Sequence, residues 1–403
     1  MVGIGALILA LASCWLAYRF SGVAARAYRA FPTAPIGPSH PDALRIGMLG
    51  AAKVAPFGLL YPARNLPSLV RVVAVGARDS SRAARLAQKW SIPRSGSYAD
   101  VLADADVEAV YIPLLNGLHY EWAAAALRAG KHVLLEKPLT SNGAEAVSLA
   151  RLAQRERLLL VEGFHWRHHP LANRLKEIVE GRTLGAPRHL RVSAGLPSGD
   201  SVAAALGFGG RPPAKMDMTM GGGNFMGQGC YTVSVARFLL GEPIRVLNAS
   251  SVEDSAGSGA DVSTEALLEF HGGVSATLRS SALSVGFDIR LECERGIVTV
   301  TNFLFPSIYH SIRIEREGEG AVTEQLYGEG ETTFELQLRD FAHAVRGRTP
   351  FPFPAVDAVS NMRVIDQIYE ASGLGKRPSR TLGEDEAEQV DTVAASKRHL
   401  ARH

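Results

Sequence analysis

Glu136-Lys137-Pro138 follows directly on the apolar run Val133–Leu135, which sets a lysine at the carboxyl end of a short strand. In a doubly wound sheet that end faces the crevice where ligands bind. A partly desolvated ammonium there, close to a bound cofactor, would polarise a substrate oxygen. A second chemical feature comes earlier: Gly50-Ala51-Ala52-Lys53-Val54-Ala55, an imperfect G-x-G-x-x-G with alanine at the second and third glycine positions. The first glycine of such a loop permits the turn, the second admits a pyrophosphate, and the third lets helix and strand pack closely. Ala55 is an accepted variant, Ala52 crowds the phosphate slightly, and the helix start beyond still offers N–H groups to an anion. Gly50, Ala52, Lys53 and Ala55 are therefore expected at the cofactor. The second strand ends in Gly76-Ala77-Arg78-Asp79. An NAD enzyme usually has a carboxylate at that tip for the ribose hydroxyl, whereas a guanidinium suits a 2′-phosphate. Arg78 thus predicts NADP(H) over NAD(H).

Other chemistry-bearing residues carry weaker signals. His165, His168 and His169 lie close together, yet no carboxylate or cysteine completes a zinc set by spacing. No metal is expected. Cys14, Cys230 and Cys293 are far apart, which argues against a disulfide framework.

These residues need a scaffold. From Leu44 to about Leu160, strand-like runs (Leu44–Leu49, Val70–Val75, Val107–Pro113, Val133–Leu135, Leu158–Glu162) alternate with helical stretches (Ser81–Trp90, Leu118–Ala129, Ala144–Glu156). That alternation predicts a doubly wound parallel sheet. After about Pro170 the texture changes to consecutive strand candidates with tight turns, among them His189–Ala194, Thr264–Phe270, Val274–Ser280 and Ser311–Glu315. A large, mainly antiparallel sheet is expected there, closed by helices at Phe334–Arg346 and Ala355–Leu374. Residues 196–223, rich in Gly, Pro and Met, predict a mobile loop over the site. The fold class is thus α/β: a Rossmann domain over 44–165 and a second α/β domain over 166–375, with a charged tail over 376–403.

Three segments carry a family resemblance: Asn116-Gly117-Leu118-His119-Tyr120, Ala129 to Thr140 around Glu136-Lys137-Pro138, and Gly163-Phe164-His165-Trp166-Arg167-His168-His169-Pro170. With them the chain from about Leu44 to Leu374 resembles the glucose–fructose oxidoreductase / inositol dehydrogenase / MocA family, above all its NADP-linked D-xylose dehydrogenase and dimeric dihydrodiol dehydrogenase branch. The resemblance implies hydride transfer between nicotinamide C4 and a sugar, polyol or cyclic diol carbon, and a homodimer built on the open C-terminal sheet. It implies that Lys137 and Tyr231 are catalytic, the tyrosine as acid/base with its phenol acidified by a nearby Lys⁺. It also implies that Asn116, His119, Glu136 and Lys137 lie at the cofactor, that Trp166, Arg167, Gly227 and Tyr231 lie at the substrate, and that Pro138 follows a cis peptide. The run Gly221-Gly222-Gly223-Asn224-Phe225-Met226-Gly227-Gln228-Gly229-Cys230-Tyr231 departs from the family pattern in one place. Gly227 stands where an aspartate usually holds a substrate hydroxyl. A rival expectation follows, a cofactor-binding regulator that has lost its chemistry; a glycosidase working through transient oxidation is a third reading.

Composition narrows the classes further. With 43 basic against 40 acidic side chains and 46% hydrophobic residues in 403, the chain reads as a folded protein of more than one domain. It has no concentrated basic face for nucleic acid. Residues 1–30 stand apart. Val2 to Tyr18 carries no charge, Arg19, Arg26 and Arg29 follow, and no acid appears before Asp42. The length and the trailing positive charge predict a membrane anchor with the catalytic part facing the cytoplasm. A cleaved targeting segment, leaving a soluble protein, is the alternative. A proline-rich linker, 31–43, separates this segment from the body.

Overall fold

The computed structural model describes residues 23, 25–26, 40–197, 214–255 and 258–381. The first sheet has six parallel strands: β1 (Leu44–Leu49), β2 (Val70–Gly76), β3 (Arg94–Gly96), β4 (Ala109–Ile112), β5 (His132–Leu135) and β6 (Leu160–Glu162). Their order is β3-β2-β1-β4-β5-β6, with the reversal between β1 and β4 that opens a crevice at the carboxyl ends. Helices α1 (Tyr61–Asn65), α2 (Ser80–Trp90), α3 (Tyr98–Ala103), α4 (His119–Arg128) and α5 (Gly143–Glu156) connect the strands. The central strands are buried on both faces, which is why β4 and β5 read as unbroken apolar runs rather than alternations. Caps stop the helices where the sequence supplies them: Asp79 accepts from Ser81 N–H, Ser97 closes a box with Asp100, and Asn142 accepts from Glu145 N–H.

Past β6 a short 3₁₀ turn, His165–His168, leads into α6 (Pro170–Glu180). The second sheet follows: β7 (Pro187–Gly195), β8 (Pro243–Glu253), β9 (Asp261–Phe270), β10 (Ser275–Ser281), β11 (Gly286–Cys293), β12 (Gly296–Thr301), β13 (Ser311–Arg316) and β14 (Ala321–Glu324). Its eight strands run in the order β14-β13-β12-β11-β7-β10-β9-β8, antiparallel except for the β7–β10 pair. The parallel pair arises because β7 enters the middle of the sheet long before its neighbours are made. Helix α7 (Cys230–Leu240) packs on β7 and β10, while α8 (Thr333–Val345) and α9 (Ala355–Ala371) return to the junction of the two sheets. In β9, Thr264, Ala266, Leu268 and Phe270 are buried while Glu265, Leu267 and Glu269 between them are more exposed, so one sheet face lies in the core and the other turns outward.

Three expectations change. Residues 376–381 do not behave as a tail, since Arg377 is among the most buried large side chains of the molecule. The loop expected over 196–223 is described only in part. Its residues 214–220 form two short 3₁₀ turns, and 198–213 lie outside the described residues. The membrane-anchored placement is withdrawn: among the described residues no helix is long and apolar enough to cross a membrane. The segment 2–18 that carried it lies outside the described residues, and its uncharged stretch is at the short limit for a span.

Candidate active site

The turn after β1 is made by Gly50 at φ +127°, where a side chain would be strained and would collide with Leu114. Its N–H donates to Gly76 O at 2.8 Å, tying the loop to the end of β2. Ala52 is partly accessible, Lys53 is exposed and Ala55 is buried. The helix expected next opens as a π turn, Pro56–Leu60, with proline first, so one anion-facing N–H is missing. Close packing falls to Gly58, whose position a Cβ would bring within 2.0 Å of the Tyr111 hydroxyl. Arg78 is exposed at the tip of β2. One helical turn on, Arg82 donates to Ala51 O at 3.0 Å and sets a second guanidinium beside the same loop. Nothing in the spacing of Arg78 and Arg82 singled out the second arginine, because Arg78 precedes the helix whose N-cap is Asp79.

Across the crevice Asn116 Nδ2 donates to Gly221 O at 2.9 Å, and Gly117 lies so close to Met220 that a Cβ would meet its backbone. The segment 214–223 is thereby laid against the Asn116 turn. His119 is fully buried behind it, with Nδ1 2.9 Å from Pro138 O and Nε2 3.1 Å from Leu114 O. Burial lowers its pKa to about 4, so the ring is neutral and can donate to only one of those carbonyls. It braces the loops on either side rather than facing the crevice. The Lys137–Pro138 peptide is cis.

Glu136 is buried and its Oε1 accepts from the Tyr111 hydroxyl at 2.7 Å; burial raises its pKa against the pull of Lys137. Lys137 Nζ donates to Gly227 O and stands 4.6 Å from the centroid of the Tyr231 ring. The second sheet thus delivers the glycine-rich run onto the end of β5. Gly227 has open space where a side chain would start, with nothing within 4 Å of its Cβ position. The first carbon of a side chain could therefore be added there without meeting a neighbour.

Tyr231, at the start of α7, is 6% exposed. Its hydroxyl lies 3.4 Å from His165 Nε2, and His165 Nδ1 lies 2.8 Å from Thr333 Oγ1. The phenol pKa is pushed well above its ordinary value, by burial first and then by the carboxylates of Glu136 and Glu162. The expected acidification by lysine is not borne out: burial, with the facing Glu136 and Glu162, moves the phenol the other way. Burial also holds His165 neutral, well below its usual range.

Trp166 and Arg167 are not at an open cleft. Trp166 is fully enclosed and donates to Ser234 Oγ at 3.2 Å. Arg167 Nε shares that hydroxyl at 2.9 Å, its Nη1 pairs with Asp357, and Asp357 also binds Arg237 at 2.8 Å. The pattern of types signalled importance, but the role is to fasten the β6 turn to α7 and α9. The three histidines likewise diverge: His168 meets Asp340, and His169 accepts from Leu171 N–H at 3.2 Å.

Comparisons with known proteins place the fold in a family. Residues 44–164 match the family model described as the oxidoreductase family with NAD-binding Rossmann fold, and residues 172–299 match the GFO/IDH/MocA C-terminal domain. The chain is 32% identical to a dTDP-3,4-didehydro-2,6-dideoxy-alpha-D-glucose 3-reductase of Saccharopolyspora spinosa, over 84% of this chain and 99% of that one. It is also 32% identical to D-xylose 1-dehydrogenase (NADP(+)) 2 of Haloferax volcanii, over 82% and 98%. Among solved structures, the 3-ketoreductase KijD10 from Actinomadura kijaniata, in complex with NADP and TDP-benzene, superposes with a TM-score of 0.73 at 27% identity, covering 82% of this chain and 98% of that one. The chain belongs to the Gfo/Idh/MocA oxidoreductase family.

Proposed function

We propose that this chain is an NADP(H)-dependent oxidoreductase interconverting a secondary hydroxyl and a ketone on a sugar, polyol or cyclic diol. The observation that carries it is the meeting of the Lys137 ammonium with Tyr231 at the carboxyl end of β5, beside the reversal of strand order. The Gly50 turn fits the close approach of a dinucleotide backbone, and the exposed Arg78, with Arg82 one turn away, fits a 2′-phosphate. Gly50, Ala52, Lys53, Arg78 and Asn116 would hold the cofactor, which supplies or takes a hydride when bound. The reductase and NADP-linked dehydrogenase named above support the substrate class.

The residues then divide the work. Tyr231 stays protonated because burial opposes the phenolate, so it can donate to a ketone oxygen as negative charge develops there. Lys137, anchored to Gly227 O, supports that charge. His165 fixes the phenol from the far side. Gly227 keeps a second reading alive, a cofactor-binding regulator, since no carboxylate grips a substrate hydroxyl there.

The test is loss of NADPH absorbance over a panel of keto sugars, D-xylose and cyclic diols. Tyr231→Phe and Lys137→Met should each lower kcat by about 10²–10⁴-fold while NADPH binding is retained. Unchanged turnover in both variants sinks the assignment, and stoichiometric NADPH binding without turnover by the native chain favours the regulator. We also place the partner of a homodimer against the outward face of the eight-stranded sheet. There, pairs such as Arg279–Glu265 (3.8 Å) and Arg313–Glu315 (3.0 Å) offer both signs to a second copy. Light scattering at one chain mass of 43.1 kDa, not two, would remove the dimer.

A further inference from the structure

The glycine-rich run that brings Gly227 and Tyr231 to Lys137 is locally unsuited to holding still. Five of its nine residues, Gly221 to Gly229, are glycine. Glycine loses more conformational freedom on ordering than any other residue. Gly221 and Gly223 moreover sit at φ +64° and +126°. The order must come from outside the run.

It comes from three fully enclosed side chains on other elements. Asp261, the first residue of β9, accepts through Oδ2 from Phe225 N–H at 2.7 Å and from the Thr264 hydroxyl at 3.0 Å. Its Oδ1 accepts from the Tyr369 hydroxyl at 2.6 Å and from Arg377 Nη2 at 2.9 Å. The Tyr369 oxygen accepts in turn from Met226 N–H at 3.2 Å. Arg377 Nε donates to Gly222 O at 2.8 Å, and its guanidinium lies 3.7 Å from the centroid of the Tyr369 ring. Gly223 is glycine for the same reason: a Cβ there would stand 2.2 Å from Asp261 Oδ1 and 2.8 Å from Arg377 Nη2. Arg377 is also bound to the first domain, since Asn142, the N-cap of α5, donates to Arg377 O and to Ser379 Oγ, both at 2.9 Å. The segment after α9 therefore leaves the second domain, touches the first, and passes beneath the run.

We propose that Arg377 is a positioning residue: through Gly222 O and Asp261 it sets where Gly227 O and Tyr231 stand relative to Lys137, and through Asn142 it references that placement to the Rossmann domain. The inference rests on the reading of Lys137 and Tyr231 as the reacting pair, but its geometric half can be tested without that reading.

The experiment uses the full chain with Arg377→Lys, Arg377→Met and Tyr369→Phe. The last removes only the hydroxyl shared by Asp261 and Met226 N–H, so it keeps the question open should the arginine variants fail to fold. Amide hydrogen exchange over 222–231 is measured with NADPH present, alongside kcat, KM and the NADPH dissociation constant on the best substrate of the panel. Faster exchange confined to 222–231 is expected in Tyr369→Phe and Arg377→Met. A kcat about 10–100-fold lower should accompany it, since misplacements near 1 Å cost that much. NADPH affinity should hold, and Arg377→Lys should recover part of the loss. Unaltered exchange in Tyr369→Phe, or faster exchange with unaltered kcat, overturns the proposal. Absence of turnover by the native chain would instead refute the reaction, leaving the exchange result to decide the role of Arg377.

Discussion

Arg78 shows what single residues disclose and conceal. Its type and its place at the tip of the second strand were legible, because a guanidinium where NAD enzymes carry an acid changes the charge offered to the ribose. Arg82 was not singled out; it takes the helix to bring its head back to Ala51 O. Since Arg78 is exposed and free to meet a phosphate while Arg82 has a backbone partner, Arg78 should carry more of the discrimination. Arg78→Ala is expected to weaken NADPH binding by about 10–100-fold, the loss of one charge-assisted contact, and to leave NADH binding nearly unchanged. Fluorescence titration of both nucleotides checks it, and equal weakening of the two would show that Arg78 does not read the 2′-phosphate. Lys137 and Tyr231 were legible by motif. The phenol's raised pKa was not, because burial and the facing carboxylates come from segments about 70 to 95 residues away in sequence.

At the scale of elements, most strands and helices announced themselves by apolar runs and helical spacing, while a few short ones did not. β3 and β14 are brief edge strands with exposed side chains, and the π turn at Pro56–Leu60 has no local signature. That turn nonetheless sets the cofactor crevice, because Gly58 lets it ride directly on Tyr111, whose hydroxyl secures Glu136 next to Lys137. Gly58→Ala must displace a fully buried tyrosine, so it should destabilise the chain by about 1–3 kcal/mol, the usual range for overpacking. Adding Tyr111→Phe should recover only part, because the ring carbon is still 2.7 Å from the new methyl. Urea midpoints of the single and double variants decide this, and a Gly58→Ala chain as stable as the native one would show that the turn can shift away from the strand.

The whole molecule is joined by buried charge as much as by apolar surface, and this layer was the least legible, since each pair spans distant segments. Glu162 ends β6, accepts from Leu139 N–H at 2.7 Å through Oε1, and has an enclosed Oε2 without a partner. Arg167, Asp357 and Arg237 face it from the following turn, α9 and α7. Burial, reinforced by Asp357 and opposed by the arginines, pushes its pKa up to about 8. The folded chain therefore binds a proton that the unfolded chain has released above its ordinary carboxyl pKa near 4.5. Stability from that proton is complete below about pH 4.5 and is lost as pH rises through 8. The slope it contributes is at most about 1.4 kcal/mol per pH unit. Glu162→Gln keeps an oxygen for Leu139 N–H and cannot ionise, so it should remove this slope. Its advantage over the native chain should grow from pH 5 to pH 8, as read from urea unfolding at a series of pH values. Taking the difference between the two chains cancels the histidines that titrate in the same window. A difference independent of pH would mean that the carboxyl is already ionised in the fold, with Arg167 and Arg237 outweighing its burial.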